Sequence, residues 1–128
     1  MSVLSSLLWI TGGAVLGACL RWSLGLLLNP WFTDFSFGTL IANYLGCFII
    51  GVLFAVFWSF PSLSSEWKLF LVTGFLGSLT TFSAFSIEVV ENLLNGKFSI
   101  GIGLIAAHVF GSLLFTVFGV WLMRYVLK

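Results

Sequence analysis

Charge is what this chain has least of: among 128 residues there are five Lys or Arg, four Asp or Glu and one His, while 60% of residues are hydrophobic. So little charge leaves no basic surface for nucleic acid and no polar shell for a soluble domain. The solvent that fits this composition is lipid. Cysteine is almost as sparse. Cys19 and Cys47 stand inside apolar runs, far from any His or Cys pair, so they make no zinc spacing and read as small packing residues. No Ser-His-Asp order, metal-ligand cluster or phosphate loop is found, so no enzyme is expected.

What is present is apolar length. Four segments stand out, over residues 3–28, 37–60, 67–94 and 98–127. Each exceeds the ~20 residues that cross a ~30 Å hydrocarbon layer at about 1.5 Å per residue. The joints, Asn29-Pro30-Trp31-Phe32-Thr33-Asp34, Pro61-Ser62-Leu63-Ser64-Ser65-Glu66 and Asn95-Gly96-Lys97, carry ordinary turn formers. Joints this short make sequential helices antiparallel. No Lys or Arg precedes the first segment and it outruns a signal peptide's apolar region, so it is expected to stay in the protein. No linker or composition shift divides residues 1–128. The expectation is an all-α integral membrane protein, one domain of four transmembrane helices.

Those few charges barely choose an orientation. The side holding the N-terminus, the second joint and the C-terminus has Lys68, Arg124 and Lys128; the other has Lys97 and, near a helix end, Arg21. A three-to-two bias is weak. Both orientations are open to such a chain, and two opposite copies form an inverted pair about a two-fold axis in the membrane plane. A single orientation set by one or two charges is the alternative. Close small residues in Gly12-Gly13-Ala14-Val15-Leu16-Gly17 and Gly46-Cys47-Phe48-Ile49-Ile50-Gly51 serve packing within the chain or between copies.

The third segment holds the densest polarity, Gly74-Phe75-Leu76-Gly77-Ser78-Leu79-Thr80-Thr81-Phe82-Ser83-Ala84-Phe85-Ser86, in mid-span. A broken helix at that depth survives only where it is buried in protein or lines a polar cavity. Intramembrane polar residues are functional candidates by default. Thr80, Thr81, Ser83 and Ser86 offer hydroxyl donors, and Phe82 and Phe85, three apart, either pack or turn positive ring edges toward an anion. Glu88 follows Thr81 by seven residues on the same face. His108, Ser112 and Thr116 recur every four residues on the last segment. Asn43 is the one amide within the second segment, for an interhelical bond or a pore. Arg21 either snorkels to the interface or sets a positive potential at a vestibule.

These residues carry a resemblance. Arg21-Trp22 after Gly12, Gly13 and Gly17, Gly38-Thr39-Leu40 with Asn43, and the run from Gly74 to Ser86 with Glu88 resemble the Fluc family of small bacterial fluoride channels, also called CrcB-like. The likeness spans essentially the whole chain. It implies an antiparallel, dual-topology homodimer in the bacterial inner membrane, with two fluoride pathways and a central structural sodium ion. Passive fluoride export would relieve toxicity. By the same resemblance, backbone carbonyls of Gly77 and Thr80 hold the sodium, while Asn43, Phe82 and Phe85, with the track His108, Ser112 and Thr116, face fluoride. Ser78 stands where a glycine is common and Ala84 where a threonine is common, which removes one hydroxyl.

The physical chemistry points the same way. An isolated ion in a low-dielectric medium costs tens of kcal/mol, whereas one hydrogen bond to a charged group contributes about 1.5 to 3 kcal/mol. Many weak donors in series are needed, with a fixed positive field from a cation at the midplane carbonyls and from Arg21 near the entrance. Two rivals stand beside this reading. A proton-coupled small multidrug transporter is equally short, but the carboxylate it needs in its first helix is missing here. A non-transporting assembly subunit would leave the hydroxyl-rich run unexplained.

Overall fold

The computed structural model describes residues 1–128, all helical apart from short joints. Four spans are long and apolar enough to cross a membrane: Val3–Trp31, Phe37–Ser59, Ser65–Leu94 and Phe98–Val126. We label the helices α1 (Val3–Leu28), α2 (Phe37–Ser59), α3 (residues 65–79), α4 (Phe82–Leu94) and α5 (Phe98–Val126). The third span starts two residues before its apolar run, at a turn whose Glu66 suits the positive end of a helix dipole.

Between α3 and α4, Thr80 (φ −83°, ψ 152°) and Thr81 (φ −148°, ψ 117°) are extended. Two adjacent β-branched residues behind Gly77 and Ser78 make a weak helix, and the hydroxyls bond locally. The Thr80 hydroxyl donates to the Leu76 carbonyl at 2.9 Å, the same oxygen its own N–H uses at 3.0 Å. Residues Leu69–Leu76 and Ala107–Gly111 wind as π-helix, a form that often marks functional positions.

The joints are held by specific bonds. The Asn29 side-chain oxygen accepts the Gly38 N–H at 2.8 Å, fixing where α2 leaves α1. Gly96 takes φ 73° between α4 and α5, where a side chain would be strained.

Glycines set the spacing of two helix pairs. At Gly13 and Gly17 of α1, an added Cβ would overlap the Phe70 and Phe75 carbonyls of α3. On α2 and α5 the relation is mutual, Gly51 lying on the Thr116 carbonyl and Gly119 on that of Phe48. These small residues therefore work within the chain. Across the extended residues the third span changes partners. Leu76 and Leu79 of α3 pack with Ala42, Leu20 and Leu24, whereas Phe85 and Val89 of α4 pack with Leu104 and Phe35.

Only 20 of the 128 residues are buried. Most apolar surface faces outward, so lipid or another protein surface must cover it.

Candidate functional site

Asn43 supplies what the extended backbone lacks. Its Oδ1 accepts the Thr81 N–H at 2.8 Å and its Nδ2 donates to the Thr81 carbonyl at 3.1 Å, pairing both backbone groups of that residue as a neighbouring strand would. A backbone group without a partner at this depth costs several kcal/mol, so one buried amide stabilises the irregular geometry. Gly46, one turn farther along α2, leaves room for the Thr80 methyl, where a Cβ would overlap it.

The same Nδ2 reaches His108 Nδ1 at 3.0 Å. Because Oδ1 is committed to an N–H, this contact is a donation from Asn43, and Nδ1 accepts. The neutral imidazole then carries its proton on Nε2, which is buried without a partner. Phe85 stacks on the ring at 4.5 Å between centroids, and Phe82 meets Phe85 edge-on at 5.3 Å. Phe85 is 6% exposed and Phe82 76% exposed, so the two phenylalanines differ in environment despite their spacing of three.

A cleft of about 380 Å³ runs along this assembly, with Asn43, Thr80, Thr81, Phe82, Phe85 and His108 in its walls, continuing past Ser112 to Thr116. Its hydroxyls are not equivalent. Those of Thr80 and Thr116 donate to the carbonyls of Leu76 and Ser112, while that of Thr81 accepts the Ala84 N–H and lies 3.4 Å from the Ser83 hydroxyl oxygen, where either hydroxyl can donate. Ser112 makes no side-chain bond within the chain. Ser83 and Ser86 are exposed on α4, outside the walls of the cleft.

Two carbonyls are released by the same arrangement. The Thr81 N–H, which would close a helical turn on Gly77, goes to Asn43; the Ala84 N–H, which would close one on Thr80, goes to the Thr81 hydroxyl. The Gly77 and Thr80 carbonyls thereby lose their i+4 partners, and Gly77 is exposed. Neutral carbonyl oxygens of this kind suit a hard monovalent cation. Arg21 is held by a backbone carbonyl of the third span. It is half-buried, with Nε donating to the Ser78 carbonyl at 3.0 Å.

Glu88 belongs to a different region. It is buried, takes the Ser36 N–H at the start of α2, and leaves its other carboxylate oxygen without a partner. Asn92 beside it donates to the Glu88 and Asp34 carbonyls, and Lys97 pairs with Asp34 at 2.7 Å. Glu88, Asn92, Asp34 and Ser36 line a second, polar cleft of about 390 Å³. Tyr44 went unnoticed in the sequence, and Cys47 was read only as a packing residue. The Tyr44 hydroxyl donates to the Ala107 carbonyl at 2.7 Å, where the π-helical segment begins, and Cys47 lies in the wall of the first cleft one turn beyond Asn43. Their places one and four residues from Asn43 were the available signal.

The family described as CrcB-like protein, Camphor Resistance (CrcB), matches residues 8–120. The chain is 59% identical over 126 residues to a protein of Mannheimia succiniciproducens named fluoride-specific ion channel FluC, covering 98% of this chain and 99% of that one. A relative of the same name from Pasteurella multocida is 59% identical over 125 residues, covering 98% of both chains. One from Chromohalobacter salexigens is 52% identical over 115 residues, covering 90% of this chain and 87% of its own length. With four membrane-spanning segments, and a family match running from the first of them into the last, the chain belongs to the CrcB-like family.

Proposed function

We propose that this protein is a fluoride-selective channel that lets fluoride leave a bacterial cell passively across the inner membrane and so limits its toxicity. The observation that carries this reading is the cleft in which the His108 Nε2–H has no acceptor, beside the proton-bearing Thr81 and Ser112 hydroxyls and the rings of Phe82 and Phe85. A site rich in donors without a matching acceptor favours a small anion. The relatives' shared name supplies the ion.

Desolvating fluoride costs far more than any one bond returns, since a hydrogen bond to a charged group contributes about 1.5 to 3 kcal/mol. Asn43, with both of its N–H groups taken by Thr81 and His108, positions the donors; Thr81, His108, Ser112 and Thr116 serve in series along the cleft, Ser83 and Ser86 extend the row on the exposed face of α4, and Phe82 and Phe85 add positive ring edges. No single position binds tightly enough to trap the ion, which conduction requires. Arg21 supplies a fixed positive charge next to the extended residues, while buried Glu88 lies in the separate polar cleft against Ser36 and takes no part in the pathway.

The working unit is an antiparallel, dual-topology homodimer with two pathways. Its support is the three-to-two charge distribution and the exposure of Phe82 and Gly77 on a single copy. The Gly77 and Thr80 carbonyls of both copies would hold a central sodium ion, giving four oxygens. Bound there, sodium supplies a fixed positive charge at mid-membrane.

The test is ion flux from liposomes holding the purified protein. Fluoride efflux without a proton gradient, with chloride retained, is the expected result. Equal chloride flux overturns selectivity, and flux that requires a proton gradient returns the multidrug-type exchanger.

A further inference from the structure

Beyond Thr116 the stripe along α5 does not end. Val120, Arg124 and Lys128 continue the spacing of four set by His108, Ser112 and Thr116. Such a row precesses about 40° per step around a helix of 3.6 residues per turn, so spacing alone does not place its members in one groove. The fold does. A third cleft, of about 420 Å³, is lined by Thr116, Val120, Trp121, Arg124, Tyr125 and Lys128, and it shares Thr116 with the cleft that begins at Asn43.

The two cations at its end are uncompensated. The one ion pair in the chain joins Lys97 to Asp34, and neither Arg124 nor Lys128 has a hydrogen-bond or ion-pair partner. No acidic residue lines this cleft. Arg124 in the last turn of α5 and Lys128 two residues beyond its end both suit the negative end of the helix dipole, but that end leaves their charges open to the cleft and to water. Trp121 and Tyr125, both exposed and stacked at 6.2 Å, belong to the level where aromatic rings sit at a membrane surface. The cations thus stand at the water boundary, and the hydroxyl-lined cleft leads inward from them.

We propose that Arg124 and Lys128 form an anion-collecting mouth, a part of the pathway distinct from its midplane residues, which concentrates fluoride at the Thr116 end of the cleft. The proposal rests on the fluoride-channel reading above. It makes both residues determinants of entry rate. A charged mouth acts through a field that salt screens over about 10 Å at 0.1 M. Its effect is therefore largest at low salt and low fluoride, and vanishes when fluoride saturates the pathway. A phospholipid headgroup presents the same anionic chemistry to these cations, and the experiment separates the two.

Fluoride flux is measured for the wild type and for the pair Arg124→Gln and Lys128→Gln, in vesicles of phosphatidylcholine alone and with phosphatidylglycerol added. At low salt and sub-saturating fluoride, the neutralised protein should conduct about three- to tenfold more slowly in both lipids, converging on wild type at high salt. Arg124→Lys with Lys128→Arg, which keep both charges, should restore the steep salt dependence. Equal flux of wild type and neutralised protein at low salt overturns the proposal. So does a loss confined to vesicles with phosphatidylglycerol, which makes the site one for lipid headgroups, or a loss independent of salt, which makes the residues structural. A wild type that passes no fluoride in any vesicle instead defeats the channel reading itself.

Discussion

The Asn43 side chain pairs with both backbone groups of Thr81, at 2.8 and 3.1 Å, and with the same amide nitrogen fixes the acceptor side of the His108 ring. One residue therefore determines the backbone geometry and the direction of a donor. Replacing it by Leu, of similar volume, strands the Thr81 N–H, the Thr81 carbonyl and His108 Nδ1. Each buried orphan costs about 1 to 3 kcal/mol in water-soluble proteins, and bonds between membrane helices average nearer 0.6 kcal/mol. Asn43→Leu should lower the thermal midpoint in detergent by several degrees and cut fluoride flux at least tenfold, on the order of 1.4 kcal/mol in barrier. An unchanged midpoint with unchanged flux would leave Asn43 with no role in either.

Much of the fold was legible because lipid imposes long apolar runs and the joints are short. Four runs gave four spans, and α1 begins and ends where its run does. The pairing of Asn43 with Thr81 was not legible, since it joins residues 38 apart and depends on the third span being extended at that point. Nor was the partner of Arg21, a carbonyl 57 residues away. Helical spacing placed Phe82 and Phe85 together, and they do touch, but it gave no hint that one is buried against His108 while the other faces outward. That difference comes from α5, which covers only one side of α4.

Orientation is testable through the charges. Ser62→Lys with Ser64→Lys adds positive charge to one side, and Thr33→Lys with Asn95→Lys adds it to the other. Either protein alone should insert one way and lose fluoride flux, and coexpression of the two should recover it. Full activity of one locked protein by itself would mean that the functional unit is parallel or single.

The released carbonyls of Gly77 and Thr80 predict a sodium-dependent stability. Protein purified throughout in sodium-free buffer should gain thermal stability on addition of sodium, but not of the same concentration of potassium. A ligand at a hundredfold its Kd stabilises by about 2.7 kcal/mol, enough to move a midpoint measurably. Identical melting curves in sodium, potassium and an organic cation would dismiss the cation and leave those carbonyls to lipid or water.

Phe82 separates packing from conduction most cleanly. At 76% exposure on a single copy it touches the chain through its edge contact with Phe85, whereas Phe85 is buried among Val89, Leu104 and the His108 ring. Phe75 is the packing control, since it joins the Leu76 and Leu79 cluster on the α1 and α2 side, away from the cleft. Roughly volume-conserving swaps in a core cost under about 1.5 kcal/mol, and an aromatic pair adds about 0.5 to 1.5 kcal/mol beyond area. Phe75→Ile should therefore lower stability and leave flux intact. Phe85→Ile should lower both, because the ring stacks on His108 and also lines the cleft. Phe82→Ile should cost the single chain no more than the edge contact with Phe85 and still reduce fluoride flux sharply, by removing a positive ring edge while keeping bulk. Flux in Phe82→Ile equal to that in Phe75→Ile would return the exposed ring to the outer surface, leaving Asn43, His108 and the hydroxyls to carry the ion.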